Sequence, residues 1–340
     1  MSEGASAPTP NNAPGKRAAA PARSPVTTDE RAGAARSDVP LSGNPTGPAG
    51  VGDGAARWRT RRNVIVLDRP FIAGILNVTP DSFSDGGWFT DPVSALVHAR
   101  QLLREGADML DVGGESTRPQ GAVPVDVEEE SQRVVPVIRA VRAEFPDIVI
   151  SVDTVKSEVA RRALDAGADI VNDVSAFRLD SRMAETCAAA GAGVILMHSR
   201  GAVSDMATYV HADYDGNVVA IVRQELQAAM ELARSAGVHD ECMVLDPGVG
   251  FSKRSEHSLQ VLAGLPLLLE LGRPLMVGVS RKRFIGELNE VAIPAERVFG
   301  TVGANVAALW NGARIFRVHD VRENRQALDV AWAVMQAGAL

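Results

Sequence analysis

The chain has little cysteine, no long apolar run and no surplus of positive charge. Its 340 residues include two cysteines, Cys187 and Cys242, at a spacing that matches no metal site. A chain this long can bury a sizeable core without disulfides, so a reducing cytoplasm is the expected compartment. No stretch reaches the roughly 18 apolar residues a membrane span needs. The formal net charge of −7 argues against a nucleic-acid-binding surface, while local basic pockets for small anions stay open. Residues 1–56 lack more: they hold no aromatic residue, no isoleucine and a single leucine, Leu41. Ala, Pro, Gly, Ser and Thr dominate there. So little apolar surface cannot offset the entropy of ordering, and a disordered tail is expected. It carries no apolar segment of the signal-peptide kind. Arg17, Arg23, Arg31 and Arg36 would suit a transit peptide, but Glu3, Asp29 and Glu30 count against one, and a functionally neutral tail is the preferred reading.

Residues 57–340 read as one folded domain. From Trp58 to Pro70 the pattern alternates around Val64, Ile65, Val66 and Leu67, which predicts an N-terminal hairpin closing one end of the domain. A rhythm follows. Apolar runs rich in Val and Ile, at 71–78, 109–113, 148–153, 170–174, 193–198, 242–246, 274–280 and 314–319, predict strands. Amphipathic stretches near 92–105, 126–143, 155–166, 180–190, 216–236, 255–264, 295–311 and 321–336 predict helices. Several helices end at a glycine just before the next strand, as at Gly106, Gly167, Gly191, Gly237 and Gly312. Eight strand–helix units with short returns indicate an α/β fold, a (β/α)₈ barrel of about 250 residues. An open doubly wound sheet is the alternative. It fits less well because no Gly-x-Gly-x-x-Gly follows the first strand.

In such a barrel the loops after the strands share one face, where active sites lie. The first strand delivers Asn77 and the polar stretch to Asp85. The second delivers Asp111 and Gly113-Gly114-Glu115-Ser116-Thr117-Arg118-Pro119, the third Asp153-Thr154, and the fourth Asn172-Asp173. The fifth delivers His198-Ser199-Arg200, the sixth Asp246 through Phe251 to Lys253, the seventh Ser280-Arg281-Lys282, and the eighth Arg317-Val318-His319-Asp320. Any one of these could cap a helix or satisfy a loop amide. Eight strands ending in potential ligands on one rim need more, since buried carboxylates and cations are costly unless paired or bound.

The rim divides chemically. Asp153, Asn172 and Asp246 offer directional acceptors and donors suited to a heterocycle with ring N–H and amino groups. Arg317 and His319 lie two apart and share a strand face. With Asn77 they suit an anion such as a phosphate with a metal ion. Lys282 and Lys253 add charge, although Lys253 is also compatible with a solvent-facing place. His198 reads equally as a satisfied strand-end histidine and as a substrate residue. Asp111 and Asp173 read as structural groups that position loops, and Glu115 as a support for its own loop. Neither cysteine falls at the rim and no nucleophilic triad is evident. Direct transfer between two bound substrates is therefore favoured over a covalent intermediate.

These stretches together resemble the dihydropteroate synthase family. They are Asn77-Val-Thr-Pro-Asp-Ser-Phe-Ser-Asp-Gly-Gly87, Gly113-Gly-Glu-Ser-Thr-Arg-Pro119, Ser151-Val-Asp-Thr154, Asn172-Asp173, Asp246-Pro-Gly-Val-Gly-Phe251, Ser280-Arg-Lys282 and Arg317-Val-His-Asp320, in the family's order. The first two are long and specific, and the set spans residues 63–336. The resemblance implies that 4-aminobenzoate displaces diphosphate from (7,8-dihydropterin-6-yl)methyl diphosphate. It implies that Asp153, Asn172, Asp246 and Lys282 hold the pterin and that Phe251 walls the pocket. It further implies that Asn77 binds Mg²⁺, which with Arg317 and His319 holds the diphosphate. Asp85, Thr117 and Arg118 would lie on two mobile loops closing over the aminobenzoate, with Lys282, Asp85, Thr117 and Arg118 counted as catalytic. A homodimer is also implied.

One departure is visible: Gln120 intervenes between Pro119 and Gly121-Ala122, where the family usually passes directly to Gly-Ala. Thr117 and Arg118 precede it, so activity is expected to survive. Rival readings are a pterin-binding methyltransferase, which needs neither Arg317 nor His319, and a non-catalytic paralogue, which predicts eroded loops. A sugar-phosphate barrel would want a glycine-rich phosphate site after strands seven and eight.

Overall fold

A computed structural model describes residues 55–78, 92–115 and 125–338. The expected tail lies outside the described residues except for Ala55 and Ala56, and Ala56 already pairs with Leu67. The hairpin is β1 (Ala56–Arg59) and β2 (Val64–Leu67), antiparallel. The barrel strands are β3 (Phe71–Asn77), β4 (Met109–Gly113), β5 (Val149–Asp153), β6 (Ile170–Asp173), β7 (Gly193–Met197), β8 (Met243–Asp246), β9 (Met276–Val277) and β10 (Ile315–Val318). They run parallel in the order β8-β7-β6-β5-β4-β3-β10-β9. A parallel bridge between Leu245 and Leu275 joins the two ends of that order, so the sheet curls into a barrel. Its edges thereby acquire partners.

The helices are α1 (Pro92–Arg104), α2 (Val127–Glu144), α3 (Ser157–Ala166), α4 (Met183–Ala190), α5 (Val218–Ser235), α6 (Ser255–Ala263), α7 (Leu265–Leu269), α8 (Arg283–Asn289), α9 (Val298–Trp310) and α10 (Val321–Ala337). Asp126 starts α2 by accepting the Glu129 N–H at 2.8 Å, and Asn217 starts α5 by accepting that of Ala220 at 3.1 Å. Gly167 and Gly191 end α3 and α4 in the left-handed conformation, as the glycine spacing predicts. The sequence pattern does not reveal α7 and α8. At 5 and 7 residues they are too short to display a helical period.

The period-2 geometry of strands explains where the site lies. Ala73, Met109, Val149, Ile170, Ile195, Val244, Met276 and Ile315, one from each barrel strand, form a buried cluster with Trp58, Ile65 and Leu67 of the hairpin. The hairpin is thus the plug of the barrel floor, the closing role expected of it. Trp58 donates Nε1–H to the Cys242 carbonyl at 2.9 Å, and Arg62 pairs with buried Asp169 at 2.6 Å. The intervening strand residues, such as Ile72, Leu110, Ile150, Val171, Val194, Leu245 and Phe316, pack outward in the large cluster shared with the helices.

Two residues beyond the floor layer on each strand come Ile75, Asp111, Ser151, Asn172, Met197, Asp246, Gly278 and Arg317. At five of these eight positions, Asp111, Ser151, Asn172, Asp246 and Arg317, the inward face changes from apolar to polar within one step of the register. That step carries the site.

Candidate active site

Asp111 is the hub of the middle layer. It is buried and accepts Arg317 Nε at 2.5 Å, the Ser151 hydroxyl, and Asn172 Nδ2 at 3.3 Å. The sequence suggests a loop-positioning part for Asp111, but its carboxylate lies inside the mouth and positions Arg317 and Asn172. Arg317 Nη2 also reaches Asp153 Oδ2 at 2.7 Å. Burial works against the Arg317 charge, yet Asp111 and Asp153 outweigh it and raise its pKa further. Burial pushes the Asp153 carboxyl up to about 7. Arg317 opposes that rise and Asp111 adds to it.

Asn77 ends β3 opposite Gly113. A Cβ placed on Gly113 would lie 3.7 Å from Asn77 Oδ1 and 3.8 Å from Asp153 Oδ2, so those two side chains flank one small residue. Among the described residues no group of three or more His, Cys, Asp or Glu could hold a metal. Asn77 is a single neutral oxygen donor. It fits a cation that arrives with its own phosphate ligands, as Mg²⁺ usually does, rather than a preformed cage.

On the opposite side, Asp246 Oδ1 accepts the Gly248 N–H at 2.7 Å. Its Oδ2 lies 3.8 Å from where a Gly278 Cβ would sit, beside the Arg317 side chain. Burial raises the Asp246 pKa, with Lys282 opposing. Burial pushes the Lys282 ammonium down to about 7, with Asp246 opposing. Lys282 Nζ donates to the Val249 carbonyl and stands 4.2 Å above the Phe251 ring. Phe251 in turn packs on Val155, Val174, Met197 and Met206, an apolar wall on the rim. His319 Nδ1 and the Ser280 hydroxyl are 2.9 Å apart. Between Ser280 and Lys282, Arg281 adopts a left-handed φ of 59°, held by Asp320 at 2.9 Å and by the Thr301 hydroxyl at 3.0 Å. Such a conformation costs about 1 kcal/mol, and the two contacts offset it.

The structure thus gathers Asn77, Asp153, Asn172, Asp246, Phe251, Lys282, Arg317 and His319 at the strand ends of one barrel. Asp85, Thr117, Arg118 and Gln120 lie outside the described residues. At the base of the second loop, Glu115 accepts the Val125 N–H at 2.9 Å and pairs with Lys156 at 2.7 Å. Gly114 is required there by packing: a Cβ would come within 2.8 Å of a Val134 methyl on α2. Asp173 accepts the Ser175 and Phe177 N–H groups at 2.7 and 3.0 Å and shapes the turn after β6. Lys253 is not at the surface: it is 1% exposed. Its partners, His198 and beyond it Glu225, form a second network that the motif reading does not assemble. The available signal was an acidic residue on an apolar stripe, since Glu225 adjoins the buried Val222 and Leu226 of α5.

Comparison with known proteins bears on this geometry. Residues 73–319 match the family model described as pterin binding enzyme. The dihydropteroate synthase of Synechocystis sp. is 46% identical over 266 residues, 78% of this chain and 90% of that protein. The solved Xanthomonas albilineans dihydropteroate synthase with 4-aminobenzoic acid superposes with a TM-score of 0.76 at 44% identity, covering 83% of this chain and 99% of that one. The same enzyme in complex with 7,8-dihydropteroate gives 0.73 at 43% identity over the same shares. A family match over most of the chain, with identity and fold that agree to this extent, has one reading: the chain belongs to the dihydropteroate synthase family of pterin-binding enzymes.

Proposed function

We propose that this protein condenses (7,8-dihydropterin-6-yl)methyl diphosphate with 4-aminobenzoate to give 7,8-dihydropteroate and diphosphate. The methylene C–O bond breaks, diphosphate departs with the electron pair, the arylamine nitrogen forms the new C–N bond, and one amine proton is lost. The observation that carries the assignment is Asn172: its side-chain oxygen is buried with no hydrogen-bond partner among the described residues. Leaving such an acceptor unmet costs about 1–3 kcal/mol, and a ligand N–H removes that cost. A pterin carries adjacent ring N–H and amino donors, which suit Asn172 Oδ1 together with the carboxylates of Asp153 and Asp246. Lys282 supplies a donor beside them, and the Phe251 wall receives the ring face.

Arg317 and His319 stand where the diphosphate charge would develop, and their fixed placement lowers the cost of its departure. Asn77 would hold Mg²⁺, which when bound supplies neutralisation of the leaving group. Asp85, Thr117 and Arg118 are assigned to the aminobenzoate side on sequence alone. We also propose a homodimer. It is supported by Phe299 and Trp310 on α9 and Val330 and Val334 on α10, which stay 46–88% exposed on two helices that pack together. A cytoplasmic location is supported by both cysteines being unpaired and by the absence, among the described residues, of a helix long and apolar enough to cross a membrane.

The test is diphosphate release by the purified protein with Mg²⁺ and the pterin diphosphate, with and without 4-aminobenzoate. Release should require 4-aminobenzoate, stop on chelation, and fall at least ~100-fold in Arg118→Ala. Pterin binding without turnover under any of these conditions would overturn the assignment. Light scattering after size exclusion should give twice the chain mass, and a monomer would refute the dimer.

A further inference from the structure

The rim contains a lysine that touches no expected substrate position. Lys253 is 1% exposed, among the largest side chains so deeply buried. Its Nζ makes three contacts: the Gly248 carbonyl at 3.1 Å, the Phe251 carbonyl at 3.1 Å and His198 Nδ1 at 2.8 Å. Burial, with Lys282 adding to it, holds the Lys253 pKa well below the usual lysine value, but the three acceptors around Nζ match the three N–H donors of an ammonium, and a neutral amine would leave one of them unmet. His198 Nδ1 is then an acceptor, and the ring proton sits on Nε2. That nitrogen lies 2.8 Å from Glu225 Oε2. Burial first, and the Lys253 charge second, push the His198 imidazolium down to about 4, so the ring is neutral at pH 7. Glu225 is fixed in its turn by Arg200, which lies 4.4 Å over the Tyr214 ring.

The two carbonyls that Lys253 holds bracket Val249 and Gly250. Between them the chain carries the Val249 carbonyl that receives Lys282 and leads to the Phe251 ring under Lys282. The turn cannot be held by its own backbone preferences alone. Gly248 is left-handed at φ 64°, and an added Cβ would fall 1.9 Å from the His198 carbonyl. Ser252, not a glycine, is left-handed at φ 49°. Its hydroxyl is tied to the Arg200 N–H at 3.0 Å and to the Arg200 carbonyl at 2.9 Å.

We propose that Lys253, oriented by the His198–Glu225 pair, is a positioning residue for the pterin wall. It clamps the 248–251 turn and so sets Lys282 and the Phe251 ring without touching substrate. The proposal rests on the pterin-synthase reading, and its test separates the two. Lys253→Met keeps the side chain about as long but leaves the Gly248 and Phe251 carbonyls and His198 Nδ1 without their donor, so the variant should melt lower than the intact protein while still folding. Its Kd for the pterin diphosphate, measured with Mg²⁺ by titration calorimetry, should rise at least tenfold. Glu225→Gln, at a half-buried position, should move the same constant three- to tenfold. Nitrogen-15 NMR of histidine-labelled protein should show the His198 Nδ1 unprotonated. A folded Lys253→Met whose Kd stays within twofold of the intact protein would overturn the proposal, as would a protonated Nδ1. An intact protein that fails to bind the pterin diphosphate would instead overturn the synthase reading. Should Lys253→Met not fold, the Glu225→Gln constant decides, and a value within twofold of the intact protein refutes the clamp.

Discussion

Arg317→Met is the perturbation that most directly asks what holds the barrel mouth together. It removes the only cation in contact, among the described residues, with Asp111 and Asp153, whose side chains are 1% and 12% exposed. Removing one partner of a buried ion pair costs about 3–5 kcal/mol. The cost should depend on pH, and the sign can be worked out. In the intact protein Asp153 titrates near 7. The folded state therefore holds a proton that the unfolded chain has released from about pH 4 upwards. A carboxyl raised in this way contributes stability that is complete below the unfolded value and is lost as pH rises to the folded one. Without Arg317 the folded value moves higher still, and the window of loss extends above 7. Each further pH unit then costs the variant about 1.4 kcal/mol relative to the intact protein. The deficit is expected at about 3 kcal/mol at pH 6, growing towards about 5 kcal/mol at pH 8.5. Urea unfolding at both pH values, with unchanged m-values, measures it. A deficit that is equal at both, or absent at pH 8.5, would refute the account of Arg317 as the charge that makes these carboxylates tolerable.

Lys282→Met should act in the opposite sense on stability. The folded value of Lys282 is depressed to about 7, so the intact protein loses stability as pH falls from the unfolded lysine range to 7. The variant should lack that slope and be about 1–2 kcal/mol more stable at pH 7.5 by calorimetry, while turnover falls at least ~100-fold. A variant that is both less stable and active would count against the pocket as described. Gly248→Ala should cost more than ~4 kcal/mol because its Cβ meets the His198 carbonyl at 1.9 Å. Gly191→Ala, also left-handed but with open space around it, should cost about 1 kcal/mol; denaturant midpoints compare the two, and equal losses would mean the turn relaxes. Trp58→Ala should cost about 3–5 kcal/mol from floor packing with KM values unchanged, and a shift in KM would show that the plug communicates with the mouth.

How much of this could be read from the chain depends on range. The strands were legible because each follows from an apolar run of five to eight residues rich in Val, Ile, Leu and Met, and seven of the eight barrel strands fall within two residues of their expected bounds. The exception, β9, was expected at 274–280 and is only Met276–Val277, since Gly278 leaves the ladder and the chain turns toward Arg281. The site residues were legible because they follow strands, and a strand end in a barrel has one destination. Partners were not legible. Nothing in spacing says that Arg317 meets Asp111 across 206 positions, or that Lys253 meets His198 across 55. Those pairings come from closure of the barrel, which places residues from distant strands in one layer.

That closure also bears on how one arginine can serve two purposes. Arg317 is bound to carboxylates on its inner side, and the same side chain is assigned to the diphosphate. The two need not compete. A guanidinium carries five N–H donors, and Asp111 and Asp153 take one each, from Nε and Nη2. Three N–H donors remain, one on Nη2 and two on Nη1. The inner carboxylates fix the guanidinium plane, so a phosphate oxygen meets donors that are already oriented and the entropic cost of ordering a long side chain is not charged to binding. The pairing that makes the buried charges tolerable in the ligand-free protein is therefore the same pairing that presents Arg317 to the leaving group. On this argument Asp111→Asn should weaken diphosphate binding even though Asp111 touches no substrate, and an unchanged Kd for inorganic diphosphate with Mg²⁺ in that variant would refute it.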